Sequence, residues 1–384
     1  SESMQGLASM YLTIDLCKGL QFKTSNGLNV RFSPSYYYGN KDATKDKEES
    51  RATYFSTLYV DLLSENTLNY HIDFGRNNAH SIDALLGYTV ESTRNQRVAM
   101  TATGFATDDV HTLNAATVYS LASKGNGNTD GTGTFRYPDV VLESYLGRIN
   151  YSYLGRYLLS TSLRLDRSSL FSKGNRNAWF PSVSLGWRVN EEKFMKNANI
   201  DWLSFLKLRT SWGMLGNERI GDNYFPYMAL MTFNNALFYK DGAVVSEKTA
   251  AQRNLAVEDI TWETTTSTDI GVDLGFLNNR LRVTADYYWK KTKDMLLSIE
   301  IPYSMGYANP KNNAGKMSTT GFDLEISWND RINDFSYGIS ANLSDFKSKI
   351  DYLRNSDIIS DGKVKRAGVL FNEWYGYVCE GIYQ

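Results

Sequence analysis

The chain has 384 residues and a formal net charge of −1, with 42% hydrophobic and 22% charged residues. This balance excludes a disordered chain, and the near-neutral charge excludes the basic footprint of a nucleic-acid-binding protein. Two cysteines, Cys17 and Cys379, are too few for a disulfide framework or a zinc site by themselves. Aromatic residues reach 14% with only 6 prolines, which favours long paired strands because proline removes a ladder donor.

Alternation of apolar and polar residues predicts strands from the start of the chain. Residues 7–16 turn at Lys18–Gly19 into residues 20–32. A strand ending at Phe74 turns at residues 75–78 and returns through residues 82–90. No apolar run is long enough for a transmembrane helix, but a transmembrane barrel alternates and stays compatible with this pattern.

The same period continues to the carboxyl end. Further strands are predicted at residues 145–153, 157–165, 180–189, 205–214, 268–276, 281–289, 322–328 and 335–343. One short helix is expected after Asn190, which would serve as the N-cap with Glu191 and Glu192 in the first turn. The result is an all-β chain with roughly twelve long antiparallel strands.

Connections of two lengths alternate along the chain. Short turns fall near Lys18, Gly75, Gly155, Asn278 and Asp330. Long loops separate them, at residues 33–53, 104–143, 169–178, 215–261 and 298–315 and after residue 346. A transmembrane barrel sorts its connections in this way, with short periplasmic turns and long extracellular loops. We therefore expect every short turn at one end of a barrel.

Residues 281–290 illustrate the two predicted faces. Leu281, Val283, Ala285, Tyr287 and Trp289 are expected to face lipid, with Arg282, Asp286 and Lys290 on the opposite face. Outward aromatic residues are expected in girdles at the two membrane interfaces. The short-turn girdle would comprise Tyr153, Tyr157, Trp187, Phe276 and Phe335, while Trp262 and Trp289 would lie toward the long loops.

Several stretches in one order resemble the SusC/RagA family of TonB-dependent outer-membrane transporters. They include ESYLGRINYSYLGRYLLSTSLRLDRSSLF, FPSVSLGWRVNEEKFMKN, LKLRTSWGMLGNERIGDNYFPY, ITWETTTSTDIGVDLGFLNNRLRVTADYYWKKTKDMLL, MSTTGFDLEISWNDRINDFSYGISANLS and NEWYGYVCEGIYQ. The resemblance covers most of the chain after about Glu65 and several distinct motifs, so it is specific. The first sixty residues match only in style.

The resemblance implies a barrel of about 22 strands in the outer membrane of a Gram-negative bacterium. It also implies a plug inside the barrel, a SusD-type surface lipoprotein as a lid, and glycan or peptide import driven by TonB. A plug, a TonB box and a terminal aromatic residue are not found in this sequence. We therefore expect residues 1–384 to be one barrel segment, an open arc in which residues 7–16 and 335–343 do not pair. A passive porin or adhesin-type barrel and a soluble glycan-binding β-protein are the alternatives.

No enzymatic or metal-binding motif stands out. His71, His80 and His111 lack ligand spacing, and no nucleophile elbow or phosphate-binding loop occurs. The sequence therefore predicts no enzyme, no cofactor and no metal site. GNGNTDGTGTF, at residues 125–135, and the pair Asp357 and Asp361 are weak calcium candidates, better interpreted as a surface loop and an ordinary turn.

Aromatic residues in the long loops are the candidate contact residues. Their rings could stack on sugars or peptide side chains, contact a partner such as the lid, or pack against each other. They are Tyr224, Phe225, Tyr227, Phe238, Tyr239, Trp374 and Tyr375.

Charged residues on the inner faces of the strands are expected to line the barrel and contact a plug, with a direct role in transport as the less favoured interpretation. They are Arg148, Arg164, Arg188, Arg209, Arg282, Asp269, Asp273, Asp286, Asp323 and Glu325.

Overall fold

The computed structural model describes most of the chain. The described residues are 2–41, 49–120, 133–136, 139–198, 200–221, 225–229, 231–240, 242–252, 254–354, 357–378 and 381. No described helix is both long and apolar enough to cross a membrane.

The described residues form nineteen strands and very little helix. In chain order, the strands are β1 (Met4–Cys17), β2 (Leu20–Gly39), β3 (Arg51–Phe74), β4 (His80–Phe105), β5 (Ala116–Ser120), β6 (Gly133–Arg136), β7 (Val140–Tyr153), β8 (Tyr157–Ser168), β9 (Asn177–Arg188), β10 (Leu203–Asn217), β11 (Met231–Lys240), β12 (Ala243–Gln252), β13 (Glu263–Phe276), β14 (Leu281–Ser298), β15 (Lys311–Ile332), β16 (Phe335–Leu353), β17 (Ile358–Ser360), β18 (Lys363–Lys365) and β19 (Glu373–Trp374). The helical elements are α1 (Lys193–Asn197) and 3₁₀ turns at Arg76–Asn78, Leu113–Ala115, Val189–Glu191 and Tyr303–Met305.

Twelve long strands form one antiparallel sheet in the order β1-β2-β3-β4-β7-β8-β9-β10-β13-β14-β15-β16, with β5 and β6 added on β4. The hairpin β11–β12 and the small sheet β17–β18–β19 stand apart from it. Because each long strand pairs antiparallel with the next, successive connections alternate between the two ends of the sheet. The turns at Gly155 and Asn278 therefore lie at the same end, which confirms the predicted sorting of short turns and long loops.

The two edges of this sheet are β1 and β16, and they do not pair with each other among the described residues. The barrel is therefore not closed by this chain. This confirms the expectation that residues 7–16 and 335–343 lie apart.

The strand register sorts side chains onto two faces. Leu208, Val272, Ala285, Leu324 and Leu343 form one row across five strands, because directly opposed residues share a face. We call this side the apolar face. The adjacent row carries Arg209 and Asp286 on the other side, which we call the polar face. The predicted division of residues 281–290 into two sets is thus confirmed, since Leu281, Val283, Ala285, Tyr287 and Trp289 share the apolar face.

Several strands run well beyond the alternating segments that the sequence predicts. β3 has 24 residues and β4 has 26, which is roughly 85 Å of strand for β4. A bilayer needs only about 9–11 residues of tilted strand. The predicted loop at residues 33–53 is wrong at both ends, because β2 continues to Gly39 and β3 already begins at Arg51. Backbone pairing continues there although neither face of the strands meets lipid, so the alternation of apolar and polar residues is lost.

The predicted helix after β9 exists but begins later than expected. Val189–Glu191 form a 3₁₀ turn, and Glu192 is the residue preceding α1. Asn190 is therefore not the N-cap. Its side-chain carbonyl instead accepts a 3.4 Å hydrogen bond from the Leu206 backbone N–H, and this bond ties the connection to β10.

Tight turns require residues that tolerate positive φ. Gly19 has φ 79°, and an added Cβ would strike the carbonyl oxygen of His71. In the β13–β14 turn, Leu277, Asn278 and Asn279 have φ of 53°, 58° and 61°. The turn predicted near Asp330 lies three residues later, between the end of β15 at Ile332 and the start of β16 at Phe335.

Candidate functional site: the polar face and its long-loop cluster

The polar face carries charge on strand after strand. By register, the structure brings all ten predicted inner residues onto this one face. They are Arg148, Arg164, Arg188, Arg209, Arg282, Asp269, Asp273, Asp286, Asp323 and Glu325. Such a face needs water or polar contacts, since an unpaired charge facing lipid is costly.

Arg209 is the centre of the densest charge group on this face. Its Nη2 donates to Asp286 at 2.6 Å and its Nε donates to Asp273 at 3.3 Å, while Nη1 lies 3.8 Å from Asp269. Asp286 lies two strands away, across Gly271 of β13. An added Cβ on Gly271 would lie 2.8 Å from the central guanidinium carbon, so glycine at this position lets Arg209 span the middle strand.

Carboxylates outnumber cations around Arg209. Lys207 lies 3.9 Å from Asp273, and Asp323 stands directly opposite Asp286 in the register. The Oδ1 atom of Asp286 is buried without a hydrogen-bond partner among the described residues. This part of the wall is therefore acidic, and one of its carboxylate oxygens is buried without a partner among the described residues.

At the short-turn end, aromatic residues on the apolar face form a continuous row. Tyr157 stacks on Tyr153 at 6.3 Å between ring centroids and on Trp187 at 6.5 Å. Three of the five predicted girdle residues therefore lie next to one another. Phe276 and Phe335 lie beside their own short turns, and a common height for all five stays a prediction.

Glu192 ties this aromatic row to the connection before α1. It accepts hydrogen bonds from the Tyr157 hydroxyl at 2.6 Å, Trp187 Nε1 at 3.1 Å and Arg156 at 3.4 Å. These donors, with Tyr157 contributing most, hold the pKa of Glu192 below its ordinary value of 4.5. The carboxylate therefore satisfies the polar ends of rings whose bodies suit the membrane interface.

At the long-loop end, loops fold onto the polar face around a buried apolar cluster. Phe180 of β9 shares this face with Arg164, and its ring covers Gly216, where any side chain would collide. The fully or nearly fully buried members of this long-loop cluster are Phe171, Phe180, Ile220, Val257, Ile260 and Trp262. The cluster fixes the connection between β10 and β13 over one side of the wall.

Trp262 corrects one sequence-based expectation. It was expected in the outward girdle, but its side chain is buried in the long-loop cluster at 4% exposure. Its ring lies 5.3 Å from Phe171 and 5.6 Å from Phe180, and Nε1 donates to the Arg176 carbonyl at 2.9 Å. Residue 262 precedes β13, so strand alternation does not set its direction.

Glu218 lies beside this cluster, in a groove with Arg164, Asp166 and Trp262. Burial raises the pKa of Glu218, and its Oε2 atom has no hydrogen-bond partner among the described residues. No sequence pattern marks this buried acid, because it stands alone in a loop.

A second loop cluster forms where β2, β3 and β4 extend. Tyr38 stacks on His111 at 4.2 Å, and its hydroxyl donates to Asp108 at 2.9 Å. Ser50 also donates to Asp108, and together these donors lower the pKa of that carboxyl group. These contacts hold Asp108 and His111, just after β4, against Tyr38 of β2 and Ser50 before β3.

The predicted contact aromatics lie in three different settings. Tyr224 lies outside the described residues. Phe225 is buried at 6% exposure and packs edge-on against Tyr227 at 6.0 Å. Phe238 and Tyr239 lie exposed on the β11–β12 hairpin.

Trp374 and Tyr375 lie exposed in or beside the small β17–β18–β19 sheet, where Lys363 lies over Trp374 and Arg366 over Tyr375. The structure therefore gathers the candidate contact aromatics into separate groups rather than one site.

The weak calcium candidates gain no support. Asp357 pairs with Arg366, which holds the pKa of Asp357 below its ordinary value. Residues 125–132 lie outside the described part of the chain. Within the described part, no group of three or more potential metal ligands is found.

With this geometry in hand, comparison with known proteins identifies the class of barrel. The family model for TonB dependent receptor-like, beta-barrel matches residues 13–377. The chain belongs to this family, so it is part of a transmembrane β-barrel of the Gram-negative outer membrane.

Two curated relatives give the scale of the match. The chain is 30% identical to TonB-dependent receptor P39 of Formosa agariphila over 379 residues, which is 97% of this chain and 34% of that protein. It is 38% identical to TonB-dependent receptor SusC of Bacteroides thetaiotaomicron over 218 residues, which is 56% of this chain and 21% of SusC. The chain thus spans about a third or less of the curated relatives it matches.

Solved structures agree on the fold. The structure of the RagAB peptide transporter superposes with a TM-score of 0.78 at 25% identity, covering 95% of this chain and 39% of that chain. The siderophore receptor PiuA from Acinetobacter baumannii shares the fold at a TM-score of 0.53 and 16% identity, over 94% of this chain and 49% of PiuA.

Proposed function

We propose that the whole receptor is an energy-coupled importer of nutrients across the outer membrane, and that this chain forms part of its wall. The polar face carries this proposal. Each long strand from β1 to β15 places at least one charged side chain on it, so the face suits a water-filled path rather than lipid.

The proposed mechanism belongs to the assembly rather than to a catalytic residue. Substrate is captured between a SusD-type lipoprotein lid and the long loops, TonB acts on a plug inside the barrel, and substrate passes along the polar face. The acidic group around Arg209 suits contact with donors of the plug. The likeness to SusC and to a structure described as a peptide transporter supports this scheme.

Substrate or lid contact is assigned in this proposal to the exposed loop aromatics. Tyr239 is 78% exposed and Trp374 is 79% exposed, so each ring offers a face to a sugar or a peptide side chain, with Lys363 over the other face of Trp374. Phe225 is buried and serves loop packing.

The test is uptake by cells that make the full-length receptor as their only copy. Labelled oligosaccharides and labelled peptides are supplied in parallel, with and without a functional TonB. We expect saturable uptake of one class that disappears without TonB. Uptake that continues unchanged without TonB would instead indicate a passive porin and overturn the proposal.

A further inference from the structure

Five lysines form a compact patch on the apolar face, just beyond its apolar rows. Lys291 and Lys349 flank Ser318 in one cross-strand row, and Lys347 lies in the row of Trp289. Lys293 and Lys316 lie next along β14 and β15, toward the long loops. We call these five residues the lysine patch.

The depth of the lysine patch follows from strand geometry. Trp289 lies on the apolar face as the ninth residue of β14, and a tilted strand needs about 9–11 residues to cross a bilayer, so Trp289 lies near the membrane interface. Lys291 is two residues further along the same strand, roughly 7 Å beyond Trp289. Lys291 and Lys349 are two strands apart, which is roughly 10 Å. The patch therefore lies at the level of lipid headgroups on the long-loop, extracellular side.

The patch has more positive charge than its surroundings neutralise. All five lysines are exposed, and none forms an ion pair with a carboxylate in the part of the chain that the structure describes. Asp345 and Asp351 share this side, but Asp351 already accepts a 2.9 Å hydrogen bond from Ser318.

Other outward-facing cations near the long-loop end differ from the patch. Arg94 pairs with Asp139 at 3.0 Å, and Arg167 lies 3.5 Å from Glu143. Within the part of the chain that the structure describes, these two outward-facing arginines are paired, whereas the five lysines of β14–β16 are not.

We propose that the lysine patch binds the phosphate groups of the phosphorylated glycolipid in the outer leaflet. That leaflet presents fixed phosphates to the outer wall of the barrel, at the depth where the patch lies. Lysine ammonium groups bind phosphate oxygens through charge-assisted hydrogen bonds, and several together hold an anionic headgroup. The bound lipid would anchor this sector of the wall, and the proposal does not depend on the transported substrate.

The experiment measures lipid retention by the full-length receptor with native mass spectrometry. The receptor is loaded with lipid A, with the same lipid A after phosphatase treatment, or with inorganic phosphate alone. The test variant is the double substitution Lys291→Gln and Lys349→Gln. Its matched control is Lys240→Gln and Lys248→Gln, which removes two exposed lysines from the β11–β12 hairpin. Heat-modifiable migration in gels checks that each variant is folded.

We expect the parent and the control to retain phosphorylated lipid A. The patch variant should retain it about 25-fold more weakly, since each of the two lysines near an anionic surface contributes roughly a fivefold factor. Equal retention by both folded variants would overturn the proposal. So would equal retention of the dephosphorylated lipid, or tight binding of inorganic phosphate alone. Loss of a dimer in the patch variant with lipid retention unchanged would assign the patch to a second copy instead.

Discussion

Arg209 and Asp286 meet across an intervening strand, with 2.6 Å between the guanidinium Nη2 and the carboxylate. The contact exists because Gly271 leaves the surface of β13 bare between them. Glycine has a low strand propensity, but here it permits a contact that spans three strands on the polar face. We call this contact of Arg209 with Asp286 across Gly271 the clasp.

This clasp predicts a stability effect of two different substitutions. Arg209→Ala removes the donor and leaves Asp269, Asp273 and Asp286 repelling one another, so we expect the free energy of unfolding to fall by about 1–2 kcal/mol. Gly271→Ala keeps every charge but pushes the guanidinium aside, and should act in the same direction.

The measurement is the urea midpoint of the full-length receptor in vesicles. Gly147→Ala is the matched control, because a Cβ there meets only one side-chain atom, at 3.8 Å. Equal midpoints for the Gly271 and Gly147 variants would contradict the clasp.

Glu192 predicts a pH dependence at the short-turn end. Its pKa is lowered in the folded protein, so its contribution is present above the ordinary value of 4.5 and is lost as the pH falls through the folded value. Glu192→Gln should lower the thermal midpoint at pH 7. Under acid conditions, the difference in thermal midpoint between this variant and the parent should become smaller.

Glu191→Gln is the control for that prediction, since Glu191 pairs at the surface with Lys196 at 2.7 Å. A surface pair contributes little, so its thermal midpoint should stay close to that of the parent. If the difference in thermal midpoint between the Glu192 variant and the parent were the same at every pH, the proposed dependence of stability on the ionisation of Glu192 would be wrong.

Trp262 predicts a local effect in the long loops. Trp262→Ala should cost about 3–5 kcal/mol in the stability of the long-loop cluster, because it empties a buried site and orphans the Arg176 carbonyl. Limited proteolysis should then cut residues 218–262 faster while the strands stay protected. Trp179→Ala, which removes an exposed ring from the apolar face, should leave the loop cleavage rate unchanged.

Substitution of the exposed loop aromatics is expected to weaken binding without lowering stability. Tyr239→Ala and Trp374→Ala should each reduce uptake or lid association several-fold without changing the unfolding midpoint, because neither ring is buried. Phe225→Ala should lower stability through lost packing. Unchanged uptake and lid binding in both exposed-ring variants would remove these residues from the contact surface.

Period-two patterning predicted most of the sheet, because a strand with one face in lipid must alternate. Residues 281–289 show this, and the register confirms their faces. Alternation fails beyond the bilayer, which is why the outer part of β2 and the β11–β12 hairpin were expected as loops. Trp262 and Glu218 were misplaced or missed because loop packing depends on contacts between distant residues.

The function proposed for the polar face requires that the opposite face of β14 meets lipid, and one measurement tests this directly. Cysteines replacing Thr284 and Ala285 in the full-length receptor are spin-labelled in bilayers, and their collision rates with oxygen and with a water-soluble nickel chelate are compared. The label at 285 should favour oxygen, which concentrates in lipid, and the label at 284 should favour the nickel chelate. The reverse order, or equal access at both positions, would contradict a lipid-facing apolar side and a water-filled polar side.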